Sequence, residues 1–138
     1  MLKEAVQQLQ ALVVFCHNDL LIHNIIHNEE TGAIYFIDYE YADYNYQAFD
    51  IANHFCEYAG QFSVLHIRIR DFDYSRCPDL HCKRLWITEY LTYFLERQPN
   101  VDEVEALLRD TNVFEAAAHF FWALWALAQS QISTIHFD

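Results

Sequence analysis

Apolar residues recur at helical spacing at the start of the chain. Leu2, Val6, Leu9 and Val13 follow one another at intervals of three to four residues, the period of one face of an α-helix. This spacing predicts an amphipathic helix over residues 2–13. A polar, periodic segment of this kind is unlike a secretory leader, which needs an unbroken apolar core.

The next apolar segments are short and predict β-structure. Two runs, residues 24–27 and 33–37, flank the turn-forming residues 28–32, which include a glycine. Two apolar runs around such a turn are typical of a β-hairpin. Residues 50–57 then have the pattern of a helix start. Farther on, residues 65–70 alternate apolar side chains with arginine and histidine, which predicts a strand with one basic face.

The second half of the chain is predicted to be helical. Residues 80–97 form one helix, which ends before Pro99, because the residue before proline disfavours helix. Residues 100–103 resemble a capping box, which starts a second helix. Residues 112–115 repeat this signature and predict a third helix that runs to about residue 132. We therefore expect one α+β domain over residues 1–138: a helix, a small β unit and a helical bundle.

The composition indicates a folded, acidic protein. Hydrophobic residues make up 54% of the chain and charged residues 20%, which excludes disorder. The formal net charge of -12 is unlike that of proteins that bind nucleic acid or anionic lipid. It suits a protein that binds divalent cations or a cationic substrate. The most apolar stretch, residues 120–128, is too short to cross a bilayer, so we expect no membrane insertion.

The four cysteines do not predict a disulfide framework. Cys16 and Cys56 lie in apolar periodic segments and are interpreted as reduced core thiols. Cys77 and Cys82 could pair with each other or bind a metal, although no second pair completes a zinc site. This cysteine usage is typical of a cytoplasmic protein.

The clearest chemical signal is the skeleton H-x-D-x-x-x-x-N, formed by His17, Asp19 and Asn24. A kinase catalytic loop has the same spacing, with the aspartate as base and the asparagine on magnesium. Asp38 follows Asn24 by fourteen residues, at the end of the second predicted hairpin strand. Kinases place a second metal-binding carboxylate at this point. The sequence therefore predicts phosphoryl transfer, with Asp19 as base and with Asn24 and Asp38 on magnesium.

Two other interpretations of these residues stay open. Asp19 and Asp38 could be a turn residue and a strand end without catalytic roles. Alternatively, the four residues His17, Asp19, His23 and His27 could form the metal cluster of a hydrolase. Their predicted positions on a loop and a strand would scatter those four side chains.

A pair of tryptophans is the second feature. Trp122 and Trp125 are three residues apart on a predicted helix, so both rings lie on one face. Paired indoles can wall an aromatic cage that holds an ammonium group, although aromatic stripes are usually core. Glu57 and Tyr58, on the helix that follows Asp38, add an acid and an aromatic ring. Together these residues suit a small amino alcohol.

One long motif resembles a known family. The run IDYEYADYNYQAFDIANHF, at residues 37–55, closely resembles the choline/ethanolamine kinases, and the match continues at residues 73–75, 121–127 and 133–138. The runs YNYQAFDI and EYAG resemble the ethanolamine branch more than the choline branch. The resemblance implies phosphorylation of ethanolamine to phosphoethanolamine, the first step of the CDP-ethanolamine route to phosphatidylethanolamine. It implies ATP as co-substrate and Mg²⁺ as cofactor, with choline as the alternative substrate.

The same resemblance implies a protein-kinase-like C-terminal lobe, mostly helical, with a small β-hairpin at the catalytic loop. It assigns Asp19 as the catalytic base and Asn24 and Asp38 as the magnesium ligands. The candidates for the amino-alcohol pocket are Glu57, Tyr58, Tyr74, Trp122 and Trp125. The residues expected to brace the site are His17, Glu40, Asn45, Asp50 and Asn53. Among these, Asp50 is expected to accept hydrogen bonds from the catalytic loop.

Three features depart from the family pattern. Only about thirteen residues precede position 14, and the two glycines are Gly32 and Gly60. The N-terminal lobe that carries the nucleotide-covering strands and a phosphate-binding lysine is therefore expected to be absent, which leaves exposed apolar surface where it would pack. Residues 22 and 23 are Ile-His, where the family commonly has Cys-Lys. Residues 61–72 form a longer connection than is usual.

These departures leave a second hypothesis and a third. The chain could be a non-catalytic isoform or fragment that binds amino alcohols, or that forms a dimer with a full-length partner. An antibiotic-type phosphotransferase shares the catalytic loop. The tryptophan pair and the run DYEYADYNY argue against that third hypothesis.

Overall fold

The computed structural model describes residues 2–9, 11–60 and 73–132. In these ranges one α-helix is followed by four short strands and then by three α-helices. The helices are α1 (Leu2–Gln8), α2 (Gln47–Glu57), α3 (Leu80–Phe94) and α4 (Val101–Ile132). The strands are β1 (Val13–Cys16), β2 (Ile25–His27), β3 (Ile34–Phe36) and β4 (Asp43–Tyr46). Single turns of 3-10 helix lie at Ile22–Asn24, Tyr39–Tyr41 and Tyr74–Arg76.

The strands form two antiparallel pairs. β1 pairs with β4, with Val13 opposite Tyr46 and Cys16 opposite Asp43. β2 pairs with β3, which confirms the predicted hairpin. In its turn the Asn28 carboxamide oxygen accepts hydrogen bonds from two successive backbone N–H groups, and Gly32 has a φ of 70°. That φ is accessible to glycine without a steric penalty.

The hydrophobic core lies between α2, α3 and α4. α2 contributes Ala52 and Phe55, at 0% and 1% exposure. α3 contributes Ile87, and α4 contributes Phe114, at 0% and 2%. Large apolar side chains buried this completely are the main source of stability in a small domain. The core therefore fixes α2, whose first turn faces the loop after β1.

The first helix is shorter than the sequence predicts. α1 ends at Gln8, and Val13, taken above as a helical position, instead begins strand β1. The run Val13–Val14–Phe15 is rich in β-branched and aromatic side chains, which favour strands, and it pairs with β4. The predicted helix at residues 50–57 exists, and it begins earlier, at Gln47.

The two helices predicted over residues 100–132 are one helix, so that prediction was wrong. The first capping box is present, because the Asn100 side chain accepts from the Glu103 N–H and the Glu103 carboxylate accepts from the Asn100 N–H. The second signature lies inside α4. Neither glycine nor proline occurs between residues 101 and 132. Thr111 and Phe114 are buried on either side of the expected break, so packing keeps the helix continuous.

Two other boundaries complete the comparison. α3 ends at Phe94 rather than at residue 97, and Glu96 beyond it has a φ of 53°. The strand predicted at residues 65–70 lies outside the described residues. Within the described ranges, no helix combines the length and apolarity needed to cross a bilayer.

Large apolar side chains are exposed along β1 and the hairpin. Phe15 is 63% exposed, Ile34 59% and Tyr35 55%.

All four cysteines are free thiols. Burial, together with the charge of Asp50, raises the pKa of Cys16 to about 12, which makes this thiol unreactive at neutral pH.

Candidate active site

The loop that follows β1 carries the predicted base, and α2 holds this loop in place. Asp50, in the first turn of α2, accepts hydrogen bonds from the backbone N–H groups of His17 (3.0 Å) and Asn18 (2.8 Å). These are the hydrogen bonds expected for Asp50 from the sequence. Asn18 has a φ of 64°, so the chain turns sharply just before Asp19.

Three predicted site residues lie next to one another at the open end of the hairpin. The side-chain amide of Asn24 donates to the Asp19 backbone carbonyl at 2.8 Å and to its carboxylate Oδ2 at 3.3 Å. The Ile37 N–H donates to the Asn24 carbonyl at 3.0 Å, which places Asp38 directly beyond Asn24. Asp38 has a left-handed backbone, with φ 62° and ψ 61°. The fold therefore gathers residues that are far apart in sequence.

The electrostatic surroundings of Asp19 suit a base. Burial is the main reason that the pKa of the Asp19 carboxyl is raised, and the negative charges of Asp38 and Glu40 add to the rise. His17 and the hydrogen bond from Asn24 oppose it. A carboxylate with a raised pKa binds a proton more readily than an ordinary one.

His17 joins the loop to the hairpin. It donates through Nε2 to the Ile37 carbonyl at 2.9 Å, and its ring packs on Tyr39 with centroids 4.8 Å apart. Its Nδ1 is buried without a hydrogen-bond partner among the described residues.

The part of the chain that the structure describes contains no group of three or more His, Cys, Asp or Glu side chains that could hold a metal ion. The alternative of a hydrolase cluster built on histidines is therefore not supported.

Glu57 ends α2 and lies close enough to Asp19 for the two charges to interact. Burial raises the pKa of Glu57, and the charge of Asp19 adds to the rise, so the two carboxylates lie within electrostatic range. Tyr58 packs edge-on against His54, with ring centroids 5.5 Å apart. His54 in turn donates through Nδ1 to the Leu20 carbonyl in the loop, at 2.8 Å.

The two tryptophans lie on one face of α4, as predicted, and neither is part of the core. Both are partly exposed, and their rings meet at 68° with centroids 5.5 Å apart. The Trp122 Nε1–H donates to the Asn53 side-chain oxygen at 2.6 Å. The Trp125 Nε1–H donates to the Tyr41 hydroxyl at 3.0 Å. These two hydrogen bonds fix the orientation of each indole ring and therefore the angle between the two rings.

Tyr74 is more peripheral. It is 63% exposed, and its ring contacts that of His119 with centroids 5.9 Å apart. His119 precedes Trp122 by one turn of α4. Tyr74 therefore lies beside the turn of α4 that precedes the tryptophan pair.

Two residues that contribute to the site were missed from the sequence, Asn18 and Tyr41. Asn18 donates through Nδ2 to the Tyr41 carbonyl at 2.9 Å and accepts at Oδ1 from the Asn45 amide at 2.9 Å. Asn53, fully buried, donates to the Asn18 carbonyl at 3.1 Å. An asparagine between the motif histidine and aspartate was the available signal, because asparagine tolerates left-handed backbone.

Comparison with known proteins places this geometry in a family. The family model described as choline/ethanolamine kinase matches residues 1–138. The chain belongs to the choline/ethanolamine kinase family. The resemblance inferred from the motif at residues 37–55 is thus confirmed.

Similar proteins include several named ethanolamine kinases. The chain is 50% identical to ethanolamine kinase 2 of Rattus norvegicus over 137 residues, which is 99% of this chain and 34% of that protein. It is 45% identical over 139 residues to ethanolamine kinase of Drosophila melanogaster, covering 99% of this chain and 25% of the relative. The chain spans about a third of the length of the mammalian relatives that it matches.

Solved structures of this family share the fold. An ethanolamine kinase from Plasmodium vivax matches with a TM-score of 0.78 at 28% identity, over 98% of this chain and 33% of that one. A choline kinase from Cryptosporidium parvum matches with a TM-score of 0.78 at 31% identity, over 99% of this chain and 37% of that one. The fold is the predicted one, a mostly helical kinase-like C-terminal lobe with small antiparallel β-sheets.

Proposed function

We propose that this member of the choline/ethanolamine kinase family is the catalytic lobe of an ethanolamine kinase, which transfers the γ-phosphoryl group of ATP to the hydroxyl of ethanolamine. The observation that carries the proposal is the gathering of Asp19, Asn24 and Asp38 at the open end of the hairpin, with Glu57 within electrostatic range of Asp19. The named ethanolamine kinases at 45–50% identity support the choice of substrate.

Asp19 acts as the base in this proposal. Its carboxylate accepts the hydroxyl proton as the hydroxyl oxygen bonds to phosphorus and the bond to the leaving ADP oxygen breaks. The hydrogen bond from Asn24 orients the carboxylate, and burial raises its pKa. Asp50 supports the loop on the other side through two backbone hydrogen bonds.

The residues beside Asp19 fit a magnesium ion bound with ATP. When bound, Mg-ATP supplies the phosphoryl group and neutralises its charge. Asn24 donates to Asp19 through its nitrogen, which keeps its carboxamide oxygen free of these two bonds, and Asp38 supplies a carboxylate. Magnesium prefers oxygen ligands and is commonly held by one or two carboxylates together with substrate phosphates. Two protein ligands, Asn24 and Asp38, are therefore enough for such a magnesium ion, and a cluster of three or more ligating side chains is not required.

We assign recognition of the ammonium group to the helices. Glu57 would offset its charge, and the rings of Tyr58, Tyr74, Trp122 and Trp125 would line the pocket. A primary ammonium also has three N–H donors that need acceptors, whereas the quaternary ammonium of choline has none. Choline is the alternative substrate, and the match to a choline kinase structure supports keeping it.

We also propose that the rest of the enzyme packs on β1 and the hairpin. The chain spans about a third of its mammalian relatives, and apolar side chains such as Phe15 and Ile34 are exposed on that side. The alternative is an isoform that binds amino alcohols or a full-length partner without catalysis. The four free thiols suit the cytosol, where phosphoethanolamine would enter the CDP-ethanolamine route.

Transfer of labelled phosphate from Mg-ATP to ethanolamine tests the proposal, with choline in a parallel reaction. The chain is assayed alone and in place of the matching third of rat ethanolamine kinase 2. Asp19→Asn serves as the blank, and Asp43→Asn, the same change at an exposed position on β4, is the matched control. We expect transfer to ethanolamine that Asp19→Asn abolishes and Asp43→Asn keeps. Absence of transfer from both proteins, when they are folded, would refute the catalytic proposal.

A further inference from the structure

On the basis of the function proposed for Asp19, we infer that Asn18 is a positioning residue that sets the place of the base, and that Trp122 holds Asn18 through Asn53. Asn18 is not among the residues proposed to bind the substrate. It acts on the residue that follows it, through the direction in which the backbone leaves position 18.

Each polar group of Asn18 makes a hydrogen bond. Its backbone N–H donates to Asp50 Oδ1 at 2.8 Å, and its carbonyl accepts from Asn53 Nδ2 at 3.1 Å. Its side-chain amide donates to the Tyr41 carbonyl at 2.9 Å, and its side-chain oxygen accepts from Asn45 Nδ2 at 2.9 Å. These partners lie on α2, on β4 and on the 3-10 turn before β4. Three separate elements therefore fix one residue.

The backbone of Asn18 explains why so many bonds are needed. Its φ of 64° lies in the left-handed region, which residues other than glycine seldom occupy. Asparagine tolerates this conformation better than most residues, but it does not require it. The four hydrogen bonds hold the chain there, and the peptide that leaves Asn18 carries Asp19. The direction of the proposed base thus depends on the bonds of its neighbour.

A buried amide connects this residue to the tryptophan pair. Asn53 is 0% exposed, donates to the Asn18 carbonyl and accepts from Trp122 Nε1–H at 2.6 Å. A buried amide satisfied on both sides is firmly oriented. The edge of the Trp122 ring makes this bond, and the ring also meets those of Tyr41 and Trp125, with centroids 5.8 Å and 5.5 Å away. In the proposed function Trp122 also lines the ammonium pocket. One side chain would thus contribute to recognition and to the support of the base.

Asn18→Gly tests the inference. Glycine adopts the same φ without a steric penalty, so the backbone turn stays allowed while the side-chain bonds to Tyr41 and Asn45 are lost. We expect kcat for ethanolamine phosphorylation to fall by about tenfold to a hundredfold, the effect of a small misplacement of a reacting group, with KM unchanged. The control is Glu96→Gly beyond α3, where φ is also positive, at 53°; its kcat should equal that of the wild type.

A second readout does not depend on activity. The Asn24 side-chain amide donates to Asp19, so its signal in a ¹⁵N–¹H spectrum, assigned with Asn24→Asp, reports where Asp19 lies. We expect this signal to move in Asn18→Gly and not in Glu96→Gly. An unchanged kcat or an unmoved Asn24 signal in folded Asn18→Gly would overturn the inference. If the wild-type sequence transfers no phosphate either alone or in place of the matching third of rat ethanolamine kinase 2, the proposed function fails, and the Asn24 signal alone decides the positioning role.

Trp122→Phe tests the outer part of the connection, and it decides the matter if Asn18→Gly does not fold. Phenylalanine keeps an aromatic face but lacks the N–H that binds Asn53. We expect the Asn24 signal to move in the same direction as in Asn18→Gly, and kcat to fall by a larger factor than KM rises. A higher KM with an unchanged kcat and an unmoved Asn24 signal would make Trp122 a pocket wall alone and would refute its role in holding Asn18.

Discussion

Replacing Asp50 with asparagine should destabilise the protein substantially, although the two side chains have the same shape. Both carboxylate oxygens of Asp50 accept from the loop, at 3.0 Å from His17 N–H and at 2.8 Å from Asn18 N–H. Asparagine has one oxygen, so it can satisfy only one of these donors. Its NH₂ group would then face the other N–H, and two donors cannot bond to each other.

The size of the effect follows from these two contacts. A hydrogen bond to a charged group contributes about 1.5–3 kcal/mol, and a buried donor left unsatisfied costs about 1–3 kcal/mol. His17 is buried at 8% exposure, so its N–H cannot readily turn to water. We expect Asp50→Asn to lower the free energy of unfolding by about 2–4 kcal/mol, a large part of the 5–15 kcal/mol that is typical of a domain.

Urea denaturation of the 138-residue chain, followed by tryptophan fluorescence and by circular dichroism, measures this loss. With an m-value of about 2 kcal/mol per molar, the midpoint should fall by about 1–2 M. Asp43→Asn is the matched control, because Asp43 is exposed and, among the residues that the structure describes, its side chain accepts only from the N–H of its neighbour Tyr44. The midpoint of this control should hardly move. A loss below about 0.5 kcal/mol for Asp50→Asn, the usual scatter of surface changes, would show that Asp50 does not support the loop.

Three further results are expected. Burial raises the pKa of the Asp19 carboxyl in the folded protein above that of a free aspartic acid, so its ionised form opposes folding. Asp19→Asn should therefore abolish transfer yet raise the melting temperature at neutral pH, and this gain should vanish at a pH low enough to protonate a free aspartic acid. Equal melting temperatures of Asp19→Asn and the wild type at both neutral and low pH would contradict this expectation. Trp125→Ala should raise KM for ethanolamine more than KM for ATP, and equal rises would remove Trp125 from the ammonium pocket. Phe114→Ala should lower the free energy of unfolding by about 3–5 kcal/mol, whereas Phe120→Ala, on the exposed side of the same helix, should have little effect in the same denaturation assay.

Much of the fold was predictable because its signals are local. The hairpin has a glycine turn between two apolar runs, and the capping box at Asn100 and Glu103 uses neighbouring side chains. Errors arose where distant contacts decide. Val13 fits a helical period, but pairing with Tyr46 makes it a strand residue. The signature at residues 112–115 is a valid start signal in isolation, and packing of Phe114 against α2 overrides it.

The candidate site divides in the same way. The spacing of Asp19, Asn24 and Asp38 pointed to the arrangement now seen, because a short hairpin must return Asp38 to the neighbourhood of Asn24. The contacts of Asn18 with Tyr41, Asn45 and Asn53 were not predicted, since these partners lie 23 to 35 positions away. The hydrogen-bond partners of the two indole N–H groups were missed for the same reason, because they lie 69 and 84 positions away in the sequence.

The unbroken course of α4 bears on how such an enzyme could change its substrate over evolutionary time. The first half of this helix is anchored in the core by Leu108 and Phe114, while the second half presents the tryptophans. The residues proposed for phosphoryl transfer all lie between positions 17 and 50. Substitutions on the outer half of α4 could therefore reshape the proposed ammonium pocket without changing the residues proposed for phosphoryl transfer. Position 122 is the exception, because the hydrogen bond of Trp122 to Asn53 connects the proposed pocket with the proposed catalytic loop. We therefore expect substitutions at position 122 to be tolerated less often than elsewhere on this half of α4.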